Sequence, residues 1–325
     1  MNNGPMTGFV REFGRTGLMV SRIGLGLAAV GRPAYITLGR AMDLGADRTV
    51  EAMQRRSHTL LDAAYAAGVR YVDAARSYGR AEEFLGAWLA ARNIAPGEVT
   101  VGSKWGYRYT GEWRLDARVQ EVKELTAENL RRQFAESRGF LNDHLRLYQI
   151  HSATLESGVL EDQEVLTELR RNKAGGLAIG LTVTGSRQAA TIDRALTLDL
   201  FDTVQATWNV IERSATEALE RAHARGTGVI VKEALANGRH AATGEQQLAR
   251  LARERGVSPD AIALAAVLDQ PWVDVVLSGA VSADQLHSNL AALDVVVDDS
   301  LRSRLADLVE PAEQYWSERS QLAWA

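Results

Sequence analysis

The 325-residue chain contains no cysteine. Disulfides and thiolate metal sites need that sulfur, so a secreted, disulfide-stapled scaffold is excluded. Prolines number six and are scattered, and no Gly/Ser/Pro-rich linker or low-complexity tract divides the chain. Neither charge sign dominates: 37 Lys and Arg stand against 41 Asp and Glu, a net charge of −4. A phosphate-backbone binder would need a basic stripe, so nucleic acid is not an expected partner. Long apolar runs are missing too. The longest, residues 261–268, falls far short of the roughly 18 that a membrane span requires. Residues 1–10 lack the basic-then-apolar pattern of a signal peptide. These absences predict a soluble cytoplasmic protein with no membrane partner. No metal site is expected either, because His58, His144, His151, His223, His240 and His287 form no H-x-x-x-H or H-E-x-x-H pattern. The G-x-S-x-G elbow and the P-loop are likewise absent.

What the chain does have is alternation. Hydrophobic residues make up 46%, ordinary for a globular protein. Short Val/Ile/Leu-rich runs at 22–25, 69–73, 99–103, 145–150, 177–183, 203–207, 229–232 and 273–277 read as strands buried on both faces. Helical patterns separate them, at 49–67, 81–92, 126–141, 161–171, 186–196, 214–224, 245–255 with 259–268, and 282–293. Ser258 is the expected cap of the helix at 259. Length alone would allow two domains. Eight strand–helix units without a change of composition instead predict one α/β domain over residues 1–325, a closed (β/α)8 TIM barrel, with an open doubly wound sheet as the alternative. Residues 13–18 read as an N-terminal β-hairpin turn, and 301–309 as an extra C-terminal helix packed outside the barrel.

Gly24-Leu25-Gly26-Leu27-Ala28-Ala29 matches G-x-G-x-x-A, but Gly31 and Pro33 stop the helix that a dinucleotide motif would need to open. The tight-turn reading is preferred. Barrel chemistry gathers at the C-terminal strand ends. There the sequence places Asp73 and Tyr78 after the second strand, Lys104 at the end of the third and His151 at the end of the fourth.

The contexts of these residues are Tyr71-Val72-Asp73-Ala74-Ala75-Arg76-Ser77-Tyr78-Gly79, Gly102-Ser103-Lys104-Trp105-Gly106 and Leu147-Tyr148-Gln149-Ile150-His151. With Val204-Gln205-Ala206-Thr207-Trp208-Asn209, Ser278-Gly279-Ala280 and Gln285-Leu286-His287-Ser288-Asn289, the chain resembles the aldo-keto reductase superfamily from about Val10 to Leu293. The resemblance implies a catalytic tetrad of Asp73, Tyr78, Lys104 and His151 in an NAD(P)(H)-dependent interconversion of carbonyls and alcohols. Tyr78 would be the general acid/base, with its pKa lowered by Lys104; Asp73 would orient Lys104, and His151 would polarise the carbonyl oxygen.

The resemblance further implies cofactor contacts at Thr182, Gln205, Lys232, Ala234, Leu235, Gly279, Gln285 and Asn289. Val183 stands where the family commonly has a hydrogen-bonding Asn, for which Asn209 is a candidate substitute. Lys232-Glu233 stands where it often has a nicotinamide-stacking aromatic, for which Trp208 is one. NADP(H) is the family default. No Lys or Arg lies between Asp274 and Asn289 to meet a 2′-phosphate, which narrows that preference and keeps NAD(H) in view.

Substrate contacts are expected from Tyr35 on the insertion at 32–47 and from Trp105, Tyr107 and Trp113 on the loop 105–125. These would favour a small carbonyl compound or sugar. Arg76, Arg80, Arg108 and Arg114 are candidates to meet an acidic substrate. An NAD-dependent sugar 1-dehydrogenase and a cofactor-binding regulatory subunit with little turnover are the alternative functions. No oligomeric state is predicted.

Overall fold

The short apolar runs become the staves of a barrel in the computed structural model, which describes residues 9–36, 38, 43–239 and 246–324. His240, Glu245 and parts of two predicted segments, residues 1–10 and the insertion at 32–47, lie outside the described residues.

The first two strands, β1 (Val10–Glu12) and β2 (Met19–Ser21), form an antiparallel hairpin. The barrel staves are β3 (Ile23–Gly26), β4 (Tyr71–Asp73), β5 (Thr100–Trp105), β8 (Leu145–Ala153), β9 (Ala178–Val183), β10 (Thr203–Thr207), β11 (Gly228–Lys232) and β12 (Val275–Ser278). They close in the order β3-β4-β5-β8-β9-β10-β11-β12, every pair parallel, with β12 returning beside β3. Burial on both faces explains why these strands lack a polar/apolar alternation.

Helices supply the parallel crossovers: α1 (Val50–Ala66), α2 (Ala81–Ala91), α3 (Ala127–Leu141), α4 (Gln163–Ala174), α5 (Gln188–Leu196), α6 (Thr216–Ala224), α7 (Gln246–Arg255), α8 (Pro259–Leu268) and α9 (Ala283–Leu290). Side-chain caps start many of them. Thr49, Thr126, Asp162, Ser258 and Ser282 each accept a first-turn N–H, a device worth about 1 kcal/mol apiece. Helix α8 carries the longest apolar run, and Ala261 to Leu268 are all buried. A helix apolar all round must be covered on every side. Residues of α7 and of α10 (Asp299–Ala306) join it in an outer core that includes Leu248, Leu251, Leu301 and Leu305. Among the described residues no helix is long and apolar enough to cross a membrane.

The hairpin plugs the N-terminal end of the barrel. Phe13, Leu18 and Val20 pack on Tyr71, Leu147, Ile230 and Val275. Gly14 makes the fit, since with φ +51° a Cβ there would stand 2.4 Å from the Gly228 nitrogen. The opposite, C-terminal end is left for chemistry.

Three local expectations are corrected. The third stave runs to Trp105 rather than ending at Ser103, so Lys104 and Trp105 are strand residues. The loop expected at 105–125 contains a two-stranded antiparallel ribbon, β6 (Tyr107–Tyr109) with β7 (Glu121–Lys123). Beyond Pro311 the chain forms another helix, α11 (Ala312–Ser320), in which Tyr315 is the one buried residue; so thin an apolar stripe gives little periodicity to read.

Candidate active site

Parallel staves deliver three of the four expected catalytic residues side by side. Asp73 ends β4, Lys104 lies one residue before the end of β5, and His151 sits inside β8. Tyr78 follows β4 on a turn whose peptide N–H bonds back to the Ala75 carbonyl at 3.0 Å. Lys104 is ion-paired with Asp73. Its ammonium also donates to the Ala74 carbonyl at 2.9 Å and to the Tyr78 hydroxyl oxygen at 3.3 Å.

Asp73 collects further donors: Tyr71 Oη at 3.1 Å, Gln205 Nε2 at 3.0 Å and Gln149 Nε2 at 3.4 Å. Gly102 permits the first of these, because a Cβ there would come within 2.5 Å of the Tyr71 hydroxyl. The His151 ring stands edge-on to Tyr78, 5.5 Å between centroids, and to Tyr107 at 5.0 Å. Ser77 Oγ lies 3.4 Å from His151 Nδ1. With Ser77 donating, the imidazole proton sits on Nε2.

Burial sets the protonation states. Burial first, then the Asp73 carboxylate, pushes the Tyr78 hydroxyl well above the usual tyrosine value of 10, against the pull of Arg32. The net lowering expected from Lys104 is therefore not found, because desolvation and the Asp73 carboxylate outweigh the cations beside the hydroxyl. Burial, then Lys104 and Lys232, holds His151 well below 6.5. The pair is thus a neutral phenol and a neutral imidazole, each able to donate one hydrogen bond.

A cavity of about 870 Å³ opens above these groups. Asp73, Tyr78 and His151 line it, whereas Lys104 lies beneath them, 1% exposed.

Comparison with known proteins places the chain. The sequence model of the Aldo/keto reductase family matches residues 22–310. The chain belongs to the aldo/keto reductase family. It is 26% identical over 166 residues to the oxidoreductase YqkF of Bacillus subtilis, a match covering 50% of this chain and 44% of that protein. It is 25% identical over 291 residues to the norsolorinic acid reductase stcV of Emericella nidulans, covering 80% of this chain and 73% of that one. The fold matches aldo-keto reductase AKR11C1 from Bacillus halodurans, in its holo form, with a TM-score of 0.72 at 20% identity, over 93% of this chain and 97% of that chain. The protein is an oxidoreductase of a family that works with NAD(P)H.

Other expected residues of this aldo/keto reductase divide by position. Gln205, Lys232, Ala234, Leu235, Gly279, Gln285, Asn289, Tyr35 and Tyr107 all line the cavity. Thr182 does not: it is fully buried, and its hydroxyl accepts from the Ser152 peptide N–H at 2.7 Å. Ser152 has φ +55° at an irregularity in the β8–β9 register, and this bond helps hold that irregularity beside His151.

Trp105 is also displaced from the cavity. Successive strand residues face opposite sides; with Lys104 turned inward, Trp105 points into the layer between staves and helices, 0% exposed. Trp113 pins the ribbon instead, donating to the Arg48 carbonyl at 2.8 Å and meeting Phe84 edge-on. Trp208 packs against Trp272, and Asn209 donates to the Glu233 carbonyl at 3.0 Å. Arg76, Arg80 and Arg114 are paired with carboxylates away from the cavity.

Sequence reasoning missed two buried ion pairs at the cavity wall. Arg32 donates to Glu121 at 2.7 Å and to the Ser77 carbonyl at 2.9 Å, and lies over the rings of Trp324, Tyr35 and Tyr78 at 4.6, 5.0 and 5.4 Å. It joins the insertion, the ribbon and the C-terminal tail around the tyrosine. Arg319 of α11 grips Glu233 through Nε at 2.9 and 3.0 Å. Burial pushes the Glu233 carboxyl up, but Arg319 and Lys232 outweigh it and hold the group at about 2. The Glu233 backbone, at φ +56°, stores roughly 1 kcal/mol or more of strain.

Proposed function

We propose that this enzyme is a cytoplasmic reductase of small aldehydes or ketones, in which Tyr78 delivers the proton and NAD(H) is the preferred cofactor. The observation that carries the reading is the neutral, buried Tyr78 hydroxyl at the cavity wall, backed by the Lys104–Asp73 pair and faced by His151.

When bound, reduced nicotinamide supplies a hydride to the carbonyl carbon. The oxygen then gains a pair of electrons and needs a proton. Tyr78 holds one, and Lys104, donating to the phenol oxygen, stabilises the anion left behind. His151, as a neutral donor, polarises the carbonyl oxygen before transfer. Held above its ordinary value, the Tyr78 phenol stays protonated at neutral pH, the form that reduction uses, and little tyrosinate is present to take a proton in the oxidative direction, so reduction is the preferred reading over a sugar 1-dehydrogenase.

The lining fits a dinucleotide. Gln205 offers a carboxamide near Asp73, while Gly279, Gln285 and Asn289 line the far end in front of α9, with open space where a Gly279 Cβ would be. A helix start favours anions. Three carboxylates, Asp43, Asp260 and Asp284, line that end as well, Asp43 accepting from Gln285 Nε2 at 2.8 Å, and the described cations of the cavity, Arg32, Lys232 and Arg319, are not part of it. A 2′-phosphate would need Lys or Arg there. This lining supports NAD(H), against the narrow preference for NADP(H) taken from the family default.

The test is a fluorescence titration with NADH and NADPH, followed by turnover of a panel of neutral aldehydes. NADH binding at least tenfold tighter is expected. Tighter NADPH binding would overturn the cofactor assignment, and no turnover of any carbonyl would overturn the reductase reading.

A further inference from the structure

Around the catalytic end of the cavity the described residues include five cations, Arg32, Lys104, Lys123, Lys232 and Arg319, and three carboxylates, Asp73, Glu121 and Glu233. Three pairs are made: Arg32 with Glu121 at 2.7 Å, Lys104 with Asp73, and Arg319 with Glu233 at 2.9 and 3.0 Å. Lys123 donates to the Ser152 carbonyl at 2.8 Å and is not among the cavity-lining residues, which leaves Lys232. Its nearest carboxylate oxygen, Glu233 Oε1, is 3.8 Å away and already held by Arg319. Its ammonium donates to Thr207 Oγ1 at 3.1 Å, which leaves two N–H groups for another acceptor.

Lys232 sits at the end of β11 and lines the cavity with Tyr78, His151 and Tyr107. Its side chain is only 16% exposed. It is near enough to the catalytic set for its charge to act on His151. A largely desolvated ammonium without a full counter-charge is costly. Consistent with that, burial brings Lys232 down to about 8, with Glu233 resisting. An anion placed against it would relieve the cost and raise that value again.

We propose that Lys232 is an anion subsite beside the reacting carbonyl, so that the preferred substrates are carbonyl compounds bearing a carboxylate. The inference rests on the reductase reading above for which group reacts, but the anion site itself is a binding property. His151, being neutral, cannot supply this attraction; Arg32 and Arg319 are held by carboxylates, and Lys104 and Lys123 do not line the cavity. A second anion could reach the same ammonium, the diphosphate of the dinucleotide, and the experiment separates the two.

Wild type, Lys232→Met and Lys232→Arg are titrated calorimetrically with 3- and 4-carboxybenzaldehyde and with their methyl esters, with and without saturating NADH. NADH affinity is measured for each protein, and circular dichroism and melting check the fold. Wild type should bind at least one acid about tenfold or more tightly than its ester, the scale of a hydrogen bond to a charged group. Lys232→Met should lose that preference to within about threefold at an NADH concentration that saturates each protein, and Lys232→Arg should keep it.

Acid and ester binding alike in wild type would overturn the proposal without recourse to any variant. So would a Lys232→Met protein that keeps the acid preference and binds NADH many-fold more weakly, which would give the cation to the diphosphate. A Lys232-dependent preference in a protein that reduces neither aldehyde would sustain the subsite and sink the reductase reading instead.

Discussion

Asp73 is the hub of the site, and its replacement by Asn isolates what the charge contributes. The carboxylate accepts from Lys104, Tyr71, Gln149 and Gln205, all buried. Asn at this position keeps the volume but has one acceptor oxygen and an NH2 group that would face donors. Lys104, 1% exposed, would keep the Ala74 carbonyl and the Tyr78 oxygen as neutral acceptors, with no counter-charge.

Breaking a buried ion pair from one side costs about 3–5 kcal/mol. The two remaining acceptors place this case near the lower end, about 3 kcal/mol. Urea denaturation reads the change as a lower midpoint at unchanged m-value. Asp73→Asn combined with Lys104→Met removes both charges, and the double variant should be at least about 1.5 kcal/mol more stable than the sum of the single losses predicts. A single-variant loss below about 1 kcal/mol, or strict additivity in the double variant, would refute the reasoning that the pair is desolvated and mutually dependent.

Protonation states give a second prediction. Because Tyr78 is held above and His151 below their ordinary values, neither titrates near neutrality. The reduction rate should be flat from about pH 6 to 8 and fall only at alkaline pH as the phenol ionises, whereas alcohol oxidation should rise with pH; a break near the ordinary histidine value in initial-rate profiles would contradict this. Arg319→Gln leaves the buried Glu233 without its fork, so its carboxyl should rise from about 2, and the protein should lose about 2–3 kcal/mol in the same urea assay. Asp284→Arg should raise NADPH affinity about tenfold relative to NADH by supplying a cation for the 2′-phosphate, read by fluorescence titration; no change in the ratio would remove Asp284 from the cofactor end.

Much of this was legible in the strand-end rule. Eight apolar runs gave the barrel, and Asp73, Lys104 and His151 fall where the rule puts them, because parallel staves in register bring consecutive C-terminal ends together. Parity was the weak point: extending the third stave by two residues turns Trp105 away from the cavity. Thr182 failed for a related reason, since its hydroxyl is taken up by a backbone N–H of the neighbouring stave. The pairs Arg32–Glu121 and Glu233–Arg319 were not legible at all. Their partners lie 89 and 86 residues apart, on an insertion, a ribbon and a terminal helix whose placement no local pattern encodes. The tyrosine pKa was misjudged because proximity to a lysine was weighed without the desolvation that accompanies it.

The central claim is that Tyr78 is the proton donor of a carbonyl reductase. It is tested most directly by steady-state reduction of a responsive aldehyde with NADH in Tyr78→Phe, alongside NADH affinity. The account predicts a fall in kcat/KM of about 10²–10⁴ with NADH binding within twofold of wild type. A variant that reduces the aldehyde within threefold of the wild-type rate would contradict it.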